Sequence, residues 1–241
     1  VYEGLRAYNR RVFKLYEHLE RLYDSAHAIG IRIPMSMEEL ATAVIETLKV
    51  NHLFHDAHVR LTATRGSKRI TSMDPRVAIS ESGSVVIVAE PKKPTWPTTG
   101  ISMITASIRR MPPQCLDPKI HSCNQLGQIL AKMEANAAGA DEALMLDMHG
   151  FVAESNSANV FIVRKNRVRT PTRNACMPGI TRGVVLEMAA SMGYEVREDD
   201  ISLTDVYTAD EVFLTGTVCE IVPVIRVDGR TIGTGKPGPT A

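Results

Sequence analysis

Four separated stretches of the 241-residue chain carry residue types whose chemistry belongs together. MPGITR at 177–182 sets a glycine turn and a threonine hydroxyl at the start of a helical pattern. Free backbone amides and the positive end of a helix dipole favour a phosphate at such a place. LTGTV at 214–218 sets a second hydroxyl-rich glycine turn after a β-type run. Glu154 ends a short apolar run ahead of the small polar residues 155–158, and Lys119 precedes a helical pattern that opens near Asn124. An amine nucleophile, a carboxylate, an arginine and two phosphate-holding turns make up the set that pyridoxal 5′-phosphate requires. The amine joins the aldehyde, and the carboxylate keeps the pyridine nitrogen protonated so that the ring draws off electrons. Taken singly, each piece has an ordinary reading: a solvated lysine beside a proline linker, a surface glutamate in a hairpin, an N-capping threonine at 181. Their order gives the set its weight.

Other motifs fall away on their chemistry. GTGKPG at 233–238 holds a Gly-Lys pair, but Arg230 stands where a phosphate loop needs its first glycine and a proline follows the lysine. No GxSxG elbow and no GxGxxG follows a strand. His52, His55 and His58 read as a polar link into a strand rather than a metal site, since only Asp56 lies near them as a further ligand type; no metal is expected. Four cysteines without a CxxC pair argue against a disulfide framework or zinc knuckle and for a reducing cytoplasm. A net charge of +1 gives no general pull toward nucleic acid or anionic membrane, so any anion must be held locally. No apolar run approaches the roughly 20 residues of a membrane span, and no signal peptide is visible. With 44% hydrophobic and 23% charged residues the chain buries a core rather than staying disordered.

The elements that must position these residues follow from periodicity. Helical spacing of Leu15, Leu19, Leu22, Ala26 and Ile29 predicts a helix over 14–30, stopped at Gly30. Ser36 and Glu39 match a capping box that opens a helix over 37–50. Strands are predicted at 58–65, 85–90 and 101–107, and the proline-bearing stretch 90–99 resists regular structure. Prolines 112, 113 and 118 mark a linker over 111–118 between a small domain at 1–110 and a larger one at 119–241. The larger part reads as a helix over 124–138 with Leu126, Ile129, Leu130 and Met133 on one face. Strands follow at 143–147, 151–154, 159–164 and 168–170, then a helix over 181–192 and strands at 194–198, 211–215 and 221–227. Strands and helices without regular βαβ alternation predict an α+β fold.

Ordered blocks over nearly the whole chain make it similar to the class IV (fold type IV) aminotransferases, which include branched-chain-amino-acid aminotransferase, D-amino-acid aminotransferase and aminodeoxychorismate lyase. The blocks are VYEGLRAY (1–8), EHLERL (17–22), VRLTATRG (59–66), AKMEANAAGADEALMLD (131–147), VAESNSANVFIV (152–163), PGITR (178–182), TADEVFLTGT (208–217) and DGRTIGTGKPGPT (228–240). The resemblance implies two domains, a small N-terminal α/β one and a larger C-terminal α/β one, with pyridoxal 5′-phosphate between them in a homodimer. It also implies further residues ahead of Val1. By the same resemblance Arg21, Ile180, Thr181 and Thr217 hold the phosphate, Glu154 meets the pyridine nitrogen, and Tyr2, Arg60, Thr217 and Val218 lie near the substrate. The implied activity is transfer of an amino group between an amino acid, branched-chain first, and a 2-oxo acid. D-amino-acid transamination, aminodeoxychorismate lyase chemistry and a non-catalytic binding protein are the alternatives. One departure concerns the amine. Relatives keep the Schiff-base lysine three or four residues before the Asn that opens the helix; here those positions hold His121 and Ile120, and Lys119 stands five before Asn124. The resemblance assigns the Schiff base to Lys119 through a looped-out residue and leaves open a protein whose lysine was lost to His121. Gln125, where branched-chain enzymes carry a tyrosine, is a second departure.

Overall fold

The computed structural model describes residues 1–94 and 96–241. It divides into two compact units, one formed by Val1–Lys93 with Ile120–Cys123, the other by Pro94–Lys119 with Asn124–Ala241. The division therefore falls at Lys93/Pro94 and not at the expected linker over 111–118. Its cause is strand pairing, because the strand expected at 101–107 joins the sheet of the larger unit.

The smaller unit runs β1 (Tyr2–Tyr8), β2 (Arg11–Val12), α1 (Leu15–Ala28), α2 (Met37–Val50), β3 (Ala57–Thr64) and β4 (Ser84–Pro91). The strands form one antiparallel sheet in the order β2-β1-β3-β4. Asn9 and Arg10 both take positive φ in the two-residue turn joining β1 to β2, the form whose twist matches paired strands. Leu5, Ala7, Val59 and Leu61 meet Leu19, Leu22, Ala26, Leu40 and Val44 of the two helices in one core. Residues of one strand two apart share a face, so Glu3 stands in phase with Leu5 and Ala7 and is fully buried with them. The capping box is present, with Ser36 Oγ accepting from the Glu39 N–H and the Glu39 carboxylate accepting from the Ser36 N–H.

The larger unit continues with β5 (Ile101–Thr105), α3 (Leu126–Ala137), β6 (Glu142–Leu146), β7 (Val152–Ser155), β8 (Asn159–Arg164), β9 (Arg167–Pro171), α4 (Ile180–Ser191), β10 (Glu195–Asp199), α5 (Leu203–Tyr207), β11 (Glu211–Gly216), β12 (Glu220–Val227) and β13 (Arg230–Thr231). Its mixed sheet runs β10-β9-β8-β11-β12-β5-β6-β7, with β13 beside β12. Phe161 and Phe213 stack with centroids 5.1 Å apart, and Val185 and Ala189 of α4 pack against them. On α3 it is Ala131 and Ala135 that meet the sheet, with Ala143 and Met145. The apolar stripe Leu126, Ile129, Leu130 and Met133 is exposed instead.

Candidate active site

In the larger unit the strand β7 delivers Glu154 into a buried network. Its Oε1 meets Arg110 Nη2 at 2.6 Å, and its Oε2 accepts from the Met177 N–H at 3.0 Å and from Asn159 Nδ2 at 3.4 Å. Burial pushes the Glu154 carboxyl above its usual range, while Arg110 and the Met177 N–H pull it back. Asn159 opens β8, and its Nδ2 also donates to the Met177 carbonyl at 2.8 Å. That contact fixes the MPGITR segment against Glu154. Gly179 is the N-cap of α4 and has no side chain to cap it, so the first helix amides of Ile180 and Thr181 face outward from the helix start. A Cβ at Gly179 would collide with Asn159 Oδ1.

Thr215 of β11 lies in register opposite Asn159, and the strand ends at Gly216. Gly216 is tightly packed, since a Cβ there would lie 3.1 Å from Cys219 Sγ and 3.6 Å from Ala158 Cβ. Thr217 and Val218 stand in the half-buried turn that follows. Glu154, Ile180, Thr181 and Thr217 are thus carried on one contiguous set of strands and turns linked through Asn159. Thr215 Oγ1 is buried with no hydrogen-bond partner among the described residues, which costs about 1–3 kcal/mol unless an acceptor is brought to it. An uncapped helix start, hydroxyls on a glycine turn, an orphaned hydroxyl and a buried carboxylate fit the phosphate and ring nitrogen of pyridoxal 5′-phosphate.

The smaller unit holds a second cluster built around Glu3. Arg21 donates to it twice, Nε to Oε1 and Nη2 to Oε2, both at 2.8 Å. His18 Nδ1 lies 2.6 Å from Oε2 and His121 Nδ1 2.9 Å from Oε1. Burial raises the Glu3 carboxyl, but the bonds from Arg21, His121 and His18 outweigh it and hold the group well below the usual carboxylate range. The His121 ring packs on Tyr2 with centroids 4.1 Å apart, and the Arg60 guanidinium lies 3.5 Å from the Tyr2 ring centroid. Tyr2, Arg60 and His121 thus form one row, and Arg21 sits behind it on Glu3.

Lys119 is placed differently. It is exposed, and its backbone N–H donates to Asp117 Oδ1 at 2.9 Å. Glu3, His18, Arg110, Asn159 and Thr215 went unread in the sequence. A signal for Glu3 existed in its phase with Leu5 and Ala7, but reading it required β1 to be recognised as a strand. His55 and His58 bond Asn9 and Glu90 respectively, and no group of three or more potential metal ligands occurs among the described residues. No helix among them is long and apolar enough to cross a membrane.

A family model described as amino-transferase class IV matches residues 1–227. Branched-chain-amino-acid aminotransferase-like protein 2 of Arabidopsis thaliana is 46% identical over 241 residues, covering 99% of this chain and 43% of its own length. The putative branched-chain-amino-acid aminotransferase of Methanocaldococcus jannaschii is 46% identical over 239 residues, covering 99% and 82%. The chain therefore spans less than half of the plant relative and most of the archaeal one. Among solved structures, the branched-chain amino acid aminotransferase from Thermobaculum terrenum in its PLP-form (holo-form) matches with a TM-score of 0.89 at 29% identity, covering 99% of this chain and 80% of that one.

Proposed function

Because the chain belongs to the class IV aminotransferases, we propose that it uses pyridoxal 5′-phosphate to move an amino group between a branched-chain amino acid and a 2-oxo acid. The observation that carries this reading is Glu154, buried yet held by Arg110 and the Met177 N–H beside the uncapped start of α4. Bound there, the cofactor supplies an electron sink for the carbanion left when the substrate α-carbon loses its proton. Glu154 holds a proton on the pyridine nitrogen. The Ile180 and Thr181 amides and the Thr217 hydroxyl take the phosphate in the larger unit, and Val218 contacts substrate. For Arg21 as a phosphate contact and for Tyr2 and Arg60 as substrate contacts, the support is the family resemblance. The branched-chain assignment rests on the names of the relatives.

The assembly we propose is a homodimer, supported by the exposed apolar stripe on α3. The four cysteines stand as free thiols, which supports a reducing, cytoplasmic setting. The test is a panel of L- and D-amino acids with 2-oxoglutarate or pyruvate as acceptor, run with added cofactor. Oxo-acid formation from L-leucine, L-isoleucine and L-valine ahead of all D-amino acids is the expected result. A preference for D-alanine would replace the substrate assignment, and no transfer from any donor would refute the activity.

A further inference from the structure

Strand alternation fixes where the Thr215 hydroxyl lies. On β11, Phe213 packs with Val185 and Ala189 of α4. Residues two apart share a face, so Thr215 stands on the α4 side of the sheet too. β8 pairs with β11 so that Phe161 faces Phe213 and Asn159 faces Thr215. Asn159 meets the approach to α4 directly, through its bond to the Met177 carbonyl at 2.8 Å and its close packing on Gly179. Because Val185 and Ala189 lie over the phenylalanine pair, the open start of α4 lies at the Asn159–Thr215 pair. Thr215 is 1% exposed, and its Oγ1 has no hydrogen-bond partner among the described residues. Thr170 of β9 gives a contrast. It is equally buried, in phase with Val168 of the same cluster, and its hydroxyl donates to the Val160 carbonyl at 2.7 Å. A threonine of this sheet can therefore be satisfied by the backbone, and Thr215 is not. A hydroxyl kept from water needs an acceptor. The Asn159 side chain opposite does not supply one, and the first amides of α4 are themselves donors. The acceptor must come with a bound group.

We propose that Thr215 Oγ1 is a further phosphate ligand, donating to a phosphate oxygen of pyridoxal 5′-phosphate beside the Ile180 and Thr181 amides. This rests on the function proposed above, and every residue it uses belongs to the larger unit. Glu154 is the partner of the ring nitrogen, so the phosphate is the acceptor that remains for the hydroxyl. An ionised phosphate offers only acceptor oxygens there, and a donor out of reach of water binds it without solvent competing. In the cofactor-free protein the same hydroxyl is a cost, because its desolvation is not repaid. Phosphate binding removes that cost, which makes Thr215 favour the bound state twice over.

The test compares equilibrium dialysis of pyridoxal 5′-phosphate with that of pyridoxal, which lacks the phosphate, alongside thermal melts of the cofactor-free protein. Thr215→Val puts a methyl of similar size in place of the hydroxyl. It should weaken pyridoxal 5′-phosphate binding by about tenfold or more and leave pyridoxal binding unchanged. Without cofactor the same variant should melt about 2–4 °C above the parent, since the unsatisfied hydroxyl is gone. A side chain that served packing alone would lower both quantities together. Thr215→Ser and Thr215→Ala both lose the methyl, and only the serine variant should keep the parental affinity; that pair carries the comparison if Thr215→Val does not fold. Parental affinity for pyridoxal 5′-phosphate in Thr215→Val or Thr215→Ala would overturn the inference and leave the proposed aminotransferase standing. So would an equal loss for pyridoxal, or a cofactor-free Thr215→Val that melts below the parent. Failure of the parent to bind pyridoxal 5′-phosphate at all would overturn both.

Discussion

At the scale of single residues, the smaller unit is organised by one carboxylate. Placing an ionised glutamate where no solvent reaches it is costly unless every lone pair finds a donor, and Glu3 meets that demand with Arg21, His18 and His121. Because its folded carboxyl titrates below the ordinary range, Glu3 contributes stability that is present above the unfolded value of about 4.3 and is lost as pH falls toward the folded value. His121, also lowered in the folded protein, acts in the same direction from about pH 6.5 downward. Glu3→Gln keeps the volume but turns an amide donor toward basic partners. Breaking a buried ionic cluster on one side costs roughly 3 kcal/mol or more, a Tm loss of roughly 6–12 °C for a chain of this size. Thermal melts from pH 8 to pH 3 should show that gap at neutral pH and a narrowing below about pH 4.3, as the unfolded parental chain takes up the proton that its folded Glu3 carboxylate refuses. A gap that stayed constant to pH 3 would assign the loss to packing rather than to the charge.

At the scale of elements, the sites depend on how helices and strands begin. Gly179 has φ −63° and ψ 139°, torsions open to any residue, so its smallness is required only by Asn159 Oδ1. Gly179→Ala should displace the Asn159 amide from Met177 and Glu154, costing about 1–3 kcal/mol through overpacking and weakening cofactor affinity on the order of tenfold. Gly183→Ala, one turn into α4 with nothing within 4 Å of its Cβ, should instead stabilise by up to about 1 kcal/mol through helix propensity. Urea melts with equilibrium dialysis of the cofactor would separate the two, and equal affinities would remove Gly179 from the site. The same local physics explains what is legible in the sequence. The capping box at Ser36 and the apolar spacing of α1 depend on neighbours in sequence, so both helices are found where the pattern puts them. β1 escapes recognition as a strand because Glu3 and Arg6 interrupt its apolar alternation, and the partners that make their burial tolerable include residues far along the chain, His121 for Glu3 and Asp56 for Arg6. The network joining Glu154 to Arg110 spans 44 residues of sequence (154 − 110), and nothing local announces it.

At the scale of the whole molecule, long-range pairing decides what composition cannot. The proline-rich stretch at 111–118 looks like a boundary, yet β5 lies ahead of it and pairs with β12 and β6, which fixes the division near residue 93. Periodicity likewise finds the apolar stripe of α3 without saying what it packs against. The small residues Ala131 and Ala135 let the helix settle closely on β6. Leu126, Ile129 and Met133 are left 62%, 55% and 59% exposed, and Leu130 39%. Four large apolar side chains at i, i+3, i+4 and i+7 on one exposed helix face are a strong candidate for a protein interface. A two-fold pairing that places the same stripe on both sides is the simplest closed assembly. We expect size-exclusion chromatography with light scattering to give twice the chain mass at micromolar concentration. Ile129→Lys with Met133→Lys should shift the protein to the monomer mass, since two like charges on each copy would face one another across the axis in place of buried apolar surface. Far-UV circular dichroism should be unchanged, because neither side chain belongs to the core of the larger unit. A monomeric parent, or a double variant that stays dimeric, would assign the stripe no part in pairing two copies of this chain.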